Sequence, residues 1–132
     1  MSNKIDHIAV AVKDLKKSIE QWKSCFKIKE CVIEEIEERG VKLAQLKMEE
    51  GASIELVTPL GEKSTLRNFL KNKGEGIHHI CFKVQDIDKT VIELKKQGIR
   101  FVSEEPVMGA SGSRIIFIHP DNLSGVLIEL KG

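Results

Sequence analysis

The sequence predicts an α+β fold in which two βαβββ modules pair into one curved mixed sheet around a cleft. Three observations predict it. The phrase DHIAVAV at 6–12 returns as HHICFKV at 78–84, pairing His7 with His79, Ile8 with Ile80 and Val12 with Val84 at an offset of 72 (79 − 7); the register continues through Asp14/Asp86 and Lys17/Lys89. A second echo closes each half, where SIEL at 53–56 and LIEL at 127–130 pair Glu55 with Glu129 at an offset of 74 (129 − 55). In both halves a segment of strand period is followed by a helix and then by further strands. Such self-similarity marks a fold assembled from one supersecondary unit used twice.

The elements follow in order. Ile5 to Val12 alternates with period 2, and Asp14 then stands as helix N-cap for LKKSIEQWKSCF. Three strands complete the first module, KIKECVIEEI, GVKLAQLKM and ASIELVT, with turn signals at Arg39-Gly40 and Glu50-Gly51. This module covers about 4–58. A connector over about 59–76 contains the amphipathic stretch STLRNFLKN, which predicts a short helix. The second module, about 77–132, opens with IHHICFKV and a helix from Ile87 to Gln97 that Gly98 ends in a left-handed cap. The strands IRFVSE, SRIIFIH and GVLIELK follow.

Composition bounds the function. A chain of 132 residues holds one domain, 1–132, with no room for a second. With 31% charged residues and a net charge of +1, it lacks the basic surplus of nucleic-acid binders. No apolar run approaches the roughly 18 residues that span a bilayer, and MSNKIDHIAV has no cleavable signal pattern, so a cytoplasmic protein without membrane or nucleic-acid partners is expected. Cys25, Cys31 and Cys81 are odd in number and form no C-x-x-C pair, which points to free thiols rather than disulfides or a zinc knuckle.

Period 2 also assigns the faces. Ile8, Val10 and Val12 point toward the covering helix, as do Ile80, Phe82 and Val84. His7 and His79 then point the other way, and Glu55 and Glu129 do the same between apolar neighbours. Carboxylates seldom become buried unless they are paired or bind a metal. Two histidines and two glutamates converging from four strands therefore suggest a divalent metal inside the cleft, with Zn, Co, Mn, Ni or Fe as chemically suitable ions. His78 is expected on the opposite face from His79, and His119 in the turn HPDN. Gln45 alternates toward the cleft, and Glu38 stands beside the Gly40 turn, where a strand could bring it over the cleft.

These features resemble the vicinal oxygen chelate superfamily and, within it, the methylmalonyl-CoA epimerases. The resemblance covers essentially the whole chain and rests on DHIAVAVKDL, EERGV, ELVTPLGEKST, FLKNKGEGIHHICFKV and GASGSRIIFIHPDNLSGVLIEL. It implies that His7, Glu55, His79 and Glu129 hold a divalent metal, with Co²⁺ first and Zn²⁺, Mn²⁺ or Ni²⁺ as alternatives. It implies Glu38 as general base, and Ser64 with Ser111, Gly112 and Ser113 as contacts for an acyl-CoA substrate. The expected reaction is epimerisation of (2R)- and (2S)-methylmalonyl-CoA by removal and return of the C2 proton, the charge being stabilised as an enolate. The donor on the opposite face is left open between Glu129 and a metal-bound water. Glyoxalase I (lactoylglutathione lyase) uses the same ligand types and is the alternative; a metal-free small-molecule binding protein of this fold is the second. A homodimer is common among proteins of this shape and is expected here.

Overall fold

Asp14 starts the first helix for a local reason. Following β1 (Lys4–Ala11) it is extended, and its carboxylate accepts the Lys17 amide at 3.1 Å, satisfying one of the unpaired N–H groups at the start of α1 (Leu15–Phe26). The computed structural model describes residues 4–132, which form two units, His7–His78 and residues 4–6 with His79–Gly132. The first three residues of the domain expected over 1–132 lie outside the described residues.

In the unit His7–His78, α1 leads to β2 (Cys31–Ile36), β3 (Val41–Leu46) and β4 (Ser53–Pro59), whose ladder runs β2-β3-β4-β1. The β2–β3 and β3–β4 pairs are antiparallel hairpins. The β4–β1 pair is parallel, as a long connection through α1 and two strands requires. Gly40 makes the first hairpin turn at φ +65 after a 3-10 turn at Glu37–Arg39. The expected connector helix forms as α2 (Thr65–Lys73), capped by Ser64, whose hydroxyl accepts the Leu66 amide at 3.3 Å.

The second unit repeats this grammar. After β5 (Gly76–Lys83), Asp86 caps α3 (Ile87–Lys96) by accepting the Lys89 amide at 3.0 Å, the counterpart of Asp14. With β6 (Val107–Met108), β7 (Arg114–Ile118) and β8 (Ile128–Lys131) the ladder runs β5-β8-β7-β6, again with one parallel and two antiparallel pairs. Gly98 turns the chain out of α3 at φ +86.

The faces are those period 2 assigns. Val10, Val12, Ile54, Leu56 and Leu46 pack under Leu15, Ile19 and Trp22 of α1, while Ile80, Phe82, Val84, Ile128 and Leu130 pack under Ile87, Val91 and Leu94 of α3. Burying each such side chain contributes about 1.5–3 kcal/mol. One expected strand is not continuous. IRFVSE pairs with β7 only at Phe101, where Val102 donates to the Phe117 carbonyl at 2.9 Å and His119 to the Arg100 carbonyl at 2.9 Å. The chain then bends through Ser103–Glu105, and the edge strand resumes as β6 after Pro106. Proline lacks the N–H that a continuous ladder would use.

Candidate metal centre

In the unit His7–His78, the parallel β1–β4 register sets Ala9 beside Glu55, and the antiparallel β3–β4 register sets Gln45 on its other side. His7 is two residues before Ala9 on the same face of β1. Its Nε2 stands 3.6 Å from Glu55 Oε2, and both residues are buried, at 3% and 6% exposure. The small side chain of Ala9 leaves room for this approach. Gln45, seen in the sequence only as facing inward, is thus the direct ladder neighbour of Glu55.

The unit containing His79–Gly132 builds the same pair. The β5–β8 register sets Cys81 beside Glu129, and β7 sets Phe117 on the other side. His79 Nε2 lies 2.8 Å from Glu129 Oε1, with both residues again buried, at 5% and 4%. The Phe117 ring meets the His79 imidazole edge to face, 5.2 Å between centroids at 87°. Phe117 therefore occupies the place that Gln45 holds in the first unit, so one histidine–glutamate pair has a polar neighbour and the other an aromatic wall. Sequence reading missed Phe117, although its alternation with Ile116 and Ile118 carried the signal.

The donor set fits a divalent ion. Nitrogen and oxygen ligands about 2.1 Å from one ion, at angles between octahedral and tetrahedral, stand roughly 3.0–3.4 Å apart. The observed separations of 3.6 and 2.8 Å lie just outside that range, one on each side, so small side-chain shifts would bring both pairs to it. Buried carboxylates otherwise carry a large desolvation cost, and here each has an imidazole nitrogen beside it.

The remaining predicted residues lie elsewhere in their own units. Glu38 is exposed on the turn Glu37–Arg39, which carries it outside the β2–β3 ladder. Ser64 is buried as the α2 cap and packs against Gly40, where an added Cβ would come 3.1 Å from the Ser64 Cβ. That contact ties the turn beside Glu38 to the start of α2, and no local signal in the sequence announces it. Ser111 and Gly112 are exposed with left-handed backbones, φ +58 and +72, and Ser113 follows, half-buried. Gly109 admits no side chain, since a Cβ would lie 2.8 Å from Ile115 Cγ2. His78 packs edge-on against Phe69 of α2 at 4.8 Å, as a residue facing away from His79 would. His119 caps the turn Pro120–Asn122 through Nδ1, which accepts the Asp121 amide at 3.2 Å.

Arg114 forks onto Asp88, with Nη1 2.7 Å from Oδ2 and Nη2 3.0 Å from Oδ1. Those hydrogen bonds hold the Asp88 carboxyl below its ordinary range and raise Arg114 above its own.

A βαβββ unit used twice, each time with a buried histidine–glutamate pair on the face away from its helix, defines a class of protein. The chain belongs to the Glyoxalase/Bleomycin resistance protein/Dioxygenase superfamily, whose family model matches residues 6–117. Within that superfamily it belongs to the methylmalonyl-CoA epimerase family. It is 39% identical over 129 residues to the mitochondrial methylmalonyl-CoA epimerase of Homo sapiens, covering 97% of this chain and 73% of that protein. It is 36% identical to the ethylmalonyl-CoA/methylmalonyl-CoA epimerase of Cereibacter sphaeroides, covering 99% of this chain and 98% of that one. A solved variant of Streptomyces coelicolor methylmalonyl-CoA epimerase, in complex with 2-nitronate-propionyl-CoA, is 34% identical with a TM-score of 0.94, covering 99% of this chain and 97% of that one.

Proposed function

We infer that this chain is an isomerase that interconverts (2R)- and (2S)-methylmalonyl-CoA. The observation that carries the reading is the pair of buried histidine–glutamate sets in a chain whose similarity to methylmalonyl-CoA epimerases runs over nearly its full length. We propose that His7, Glu55, His79 and Glu129 share one divalent cation, with Co²⁺ favoured. Their relation by the internal repeat and their matched burial support this. When bound, the cation would supply Lewis-acid stabilisation of negative charge developing on the thioester oxygen.

The protein's own groups do the rest. The two imidazoles would each offer such an ion a ring nitrogen, and the two glutamates would bring the negative charges that balance it. Glu38 takes the proton from C2, leaving its electron pair to spread onto the flanking carbonyl oxygens, and a proton delivered to the opposite face inverts the centre. Ser64 and the segment Ser111–Gly112–Ser113 contact the acyl-CoA. The non-glycine left-handed backbone at Ser111 supports a role for that segment, since such strain persists where the surrounding structure enforces it. The reading includes a cytoplasmic homodimer; no helix among the described residues is long and apolar enough to cross a membrane.

Proton exchange tests it. Methylmalonyl-CoA in deuterated water with protein and Co²⁺ gains deuterium at C2 and racemises, and Glu38→Gln abolishes the exchange while metal stays bound. Turnover of a methylglyoxal–glutathione hemithioacetal without C2 exchange would reassign the chain to lactoylglutathione lyase chemistry. Exchange surviving in Glu38→Gln would remove Glu38 from the base role.

A further inference from the structure

Three cations stand four residues apart along the exposed side of the α2 segment: Lys63 just ahead of the Ser64 cap, Arg67 in the first turn and Lys71 in the second. Arg67 and Lys71 are neighbours on the helix surface and repel one another, and Lys63 lies in the turn just ahead of the extended Ser64 cap. The first turn of α2 contains no acidic residue, and cations there also oppose the helix dipole. Arg67 is thus the cation that the helix itself does not favour, whereas Lys71 lies in the last turn, where the dipole suits it. Among the described residues none of the three makes an ion pair.

Arg67 is the informative member. Its Nε donates to the Gly61 carbonyl at 2.7 Å, which fixes the guanidinium plane while neither terminal NH₂ group has an acceptor among the described residues. Two other arginines behave differently, Arg114 spending its terminal nitrogens on Asp88 and Arg100 on Asp121. An oriented guanidinium flanked by two lysines is the donor pattern that recognises phosphate: a fork for two oxygens, with point charges on either side.

The position suits the substrate. α2 follows β4, the strand that carries Glu55, and Pro59 at the end of that strand lies about 13 Å along from Glu55 at 3.3 Å per residue. The thioester and the phosphates of coenzyme A are separated by the whole pantetheine arm, so a phosphate site belongs at a distance from the metal pair. The Gly40–Ser64 contact joins the start of α2 to the turn bearing Glu38.

Building on the epimerase reading, we propose that Lys63, Arg67 and Lys71 form the binding site for the phosphates of the coenzyme A moiety. The site draws the substrate by its handle and leaves the acyl end for the histidine–glutamate pairs.

The test compares three thioesters, methylmalonyl-CoA, its dephospho-CoA analogue and methylmalonyl-pantetheine, in the wild type and in the triple variant Lys63→Gln, Arg67→Gln, Lys71→Gln. The preference for the CoA ester over the pantetheine thioester, as a ratio of kcat/KM, falls about tenfold or more in the variant, the size of one charge-assisted hydrogen bond lost. If the preference for the dephospho ester falls as well, the stripe holds the diphosphate; if only the CoA ester suffers, it holds the 3′-phosphate. Arg100→Gln removes one charge from the Asp121 pair and keeps the preference. A triple variant with the wild-type ratio overturns the proposal. Calorimetry with free coenzyme A separates this from the epimerase reading. A wild type that turns over none of the thioesters sinks the latter, and the stripe is then judged by whether the triple variant weakens coenzyme A binding about tenfold or leaves it unchanged, the second result overturning it.

Discussion

Glu129 shows what single residues contribute here. It is 4% exposed, 2.8 Å from His79 and flanked in the ladder by Cys81 and Phe117, so its charge is held away from water beside an imidazole. Glu129→Gln keeps the shape and removes the charge. Co²⁺ affinity followed by visible absorption should fall by at least the roughly 10–100-fold that even outer partners of ligands cost; unchanged affinity would take Glu129 out of the ligand set. Gly40 is decisive in another way. Its left-handed backbone costs a residue with a Cβ about 1–2 kcal/mol, and that Cβ would also press on Ser64 and the Leu60 carbonyl at 3.1 Å. Gly40→Ala should lower unfolding free energy in denaturant by at least that amount. A neutral result would mean that the turn and the start of α2 are less tightly interlocked than the distances indicate.

At the scale of elements, the repeat is visible in matched capping. Asp14 and Asp86 each accept an amide three residues on, at 3.1 and 3.0 Å, and each starts a helix that packs on the strands of its own unit. Asp86→Ala should cost about 1 kcal/mol, and Asp14→Ala a similar amount. A second tie at the start of α3 is pH-dependent. Because Arg114 lowers the Asp88 pKa in the folded state, the contribution of this pair is present above the ordinary carboxylate range and is lost as pH falls through the lowered value. Both groups are solvent-exposed, so Asp88→Asn should flatten the acid limb of a stability–pH profile only slightly, and less in high salt. The broken strand beyond α3 shows where local reading loses its grip. IRFVSE has strand composition, but Pro106 and the bend at Ser103–Glu105 decide how far it pairs, and a β-branched run says little about where an edge ladder stops.

For the whole molecule, the question is whether the two histidine–glutamate pairs serve one ion. A ligand that binds only the folded state at 100 times its Kd stabilises by about 2.7 kcal/mol, which for a domain of this size raises Tm by roughly 10 °C. Co²⁺ should produce such a shift and EDTA should reverse it, with one ion per chain. His7→Ala and His79→Ala should each abolish the shift; two ions per chain, or a half-effect in each variant, would mean two separate sites. Absence of any shift with Co²⁺, Zn²⁺, Mn²⁺ and Ni²⁺ would end the metal reading.

By itself the sequence determined the βαβββ grammar, its duplication, the cap at Asp14 and the faces on which His7, Glu55, His79 and Glu129 lie. These are short-range properties, since strand period and cap chemistry depend on neighbours a few residues away. Only the tertiary structure decided that Gln45 and Phe117 flank the two glutamates, that Glu38 stands exposed on its turn, and that Arg67 is aimed by Gly61 and makes no ion pair among the described residues. Those facts are set by ladder register and by side chains meeting across long loops. Many registers share one hydrophobic pattern locally, and the choice among them falls to packing of the whole unit.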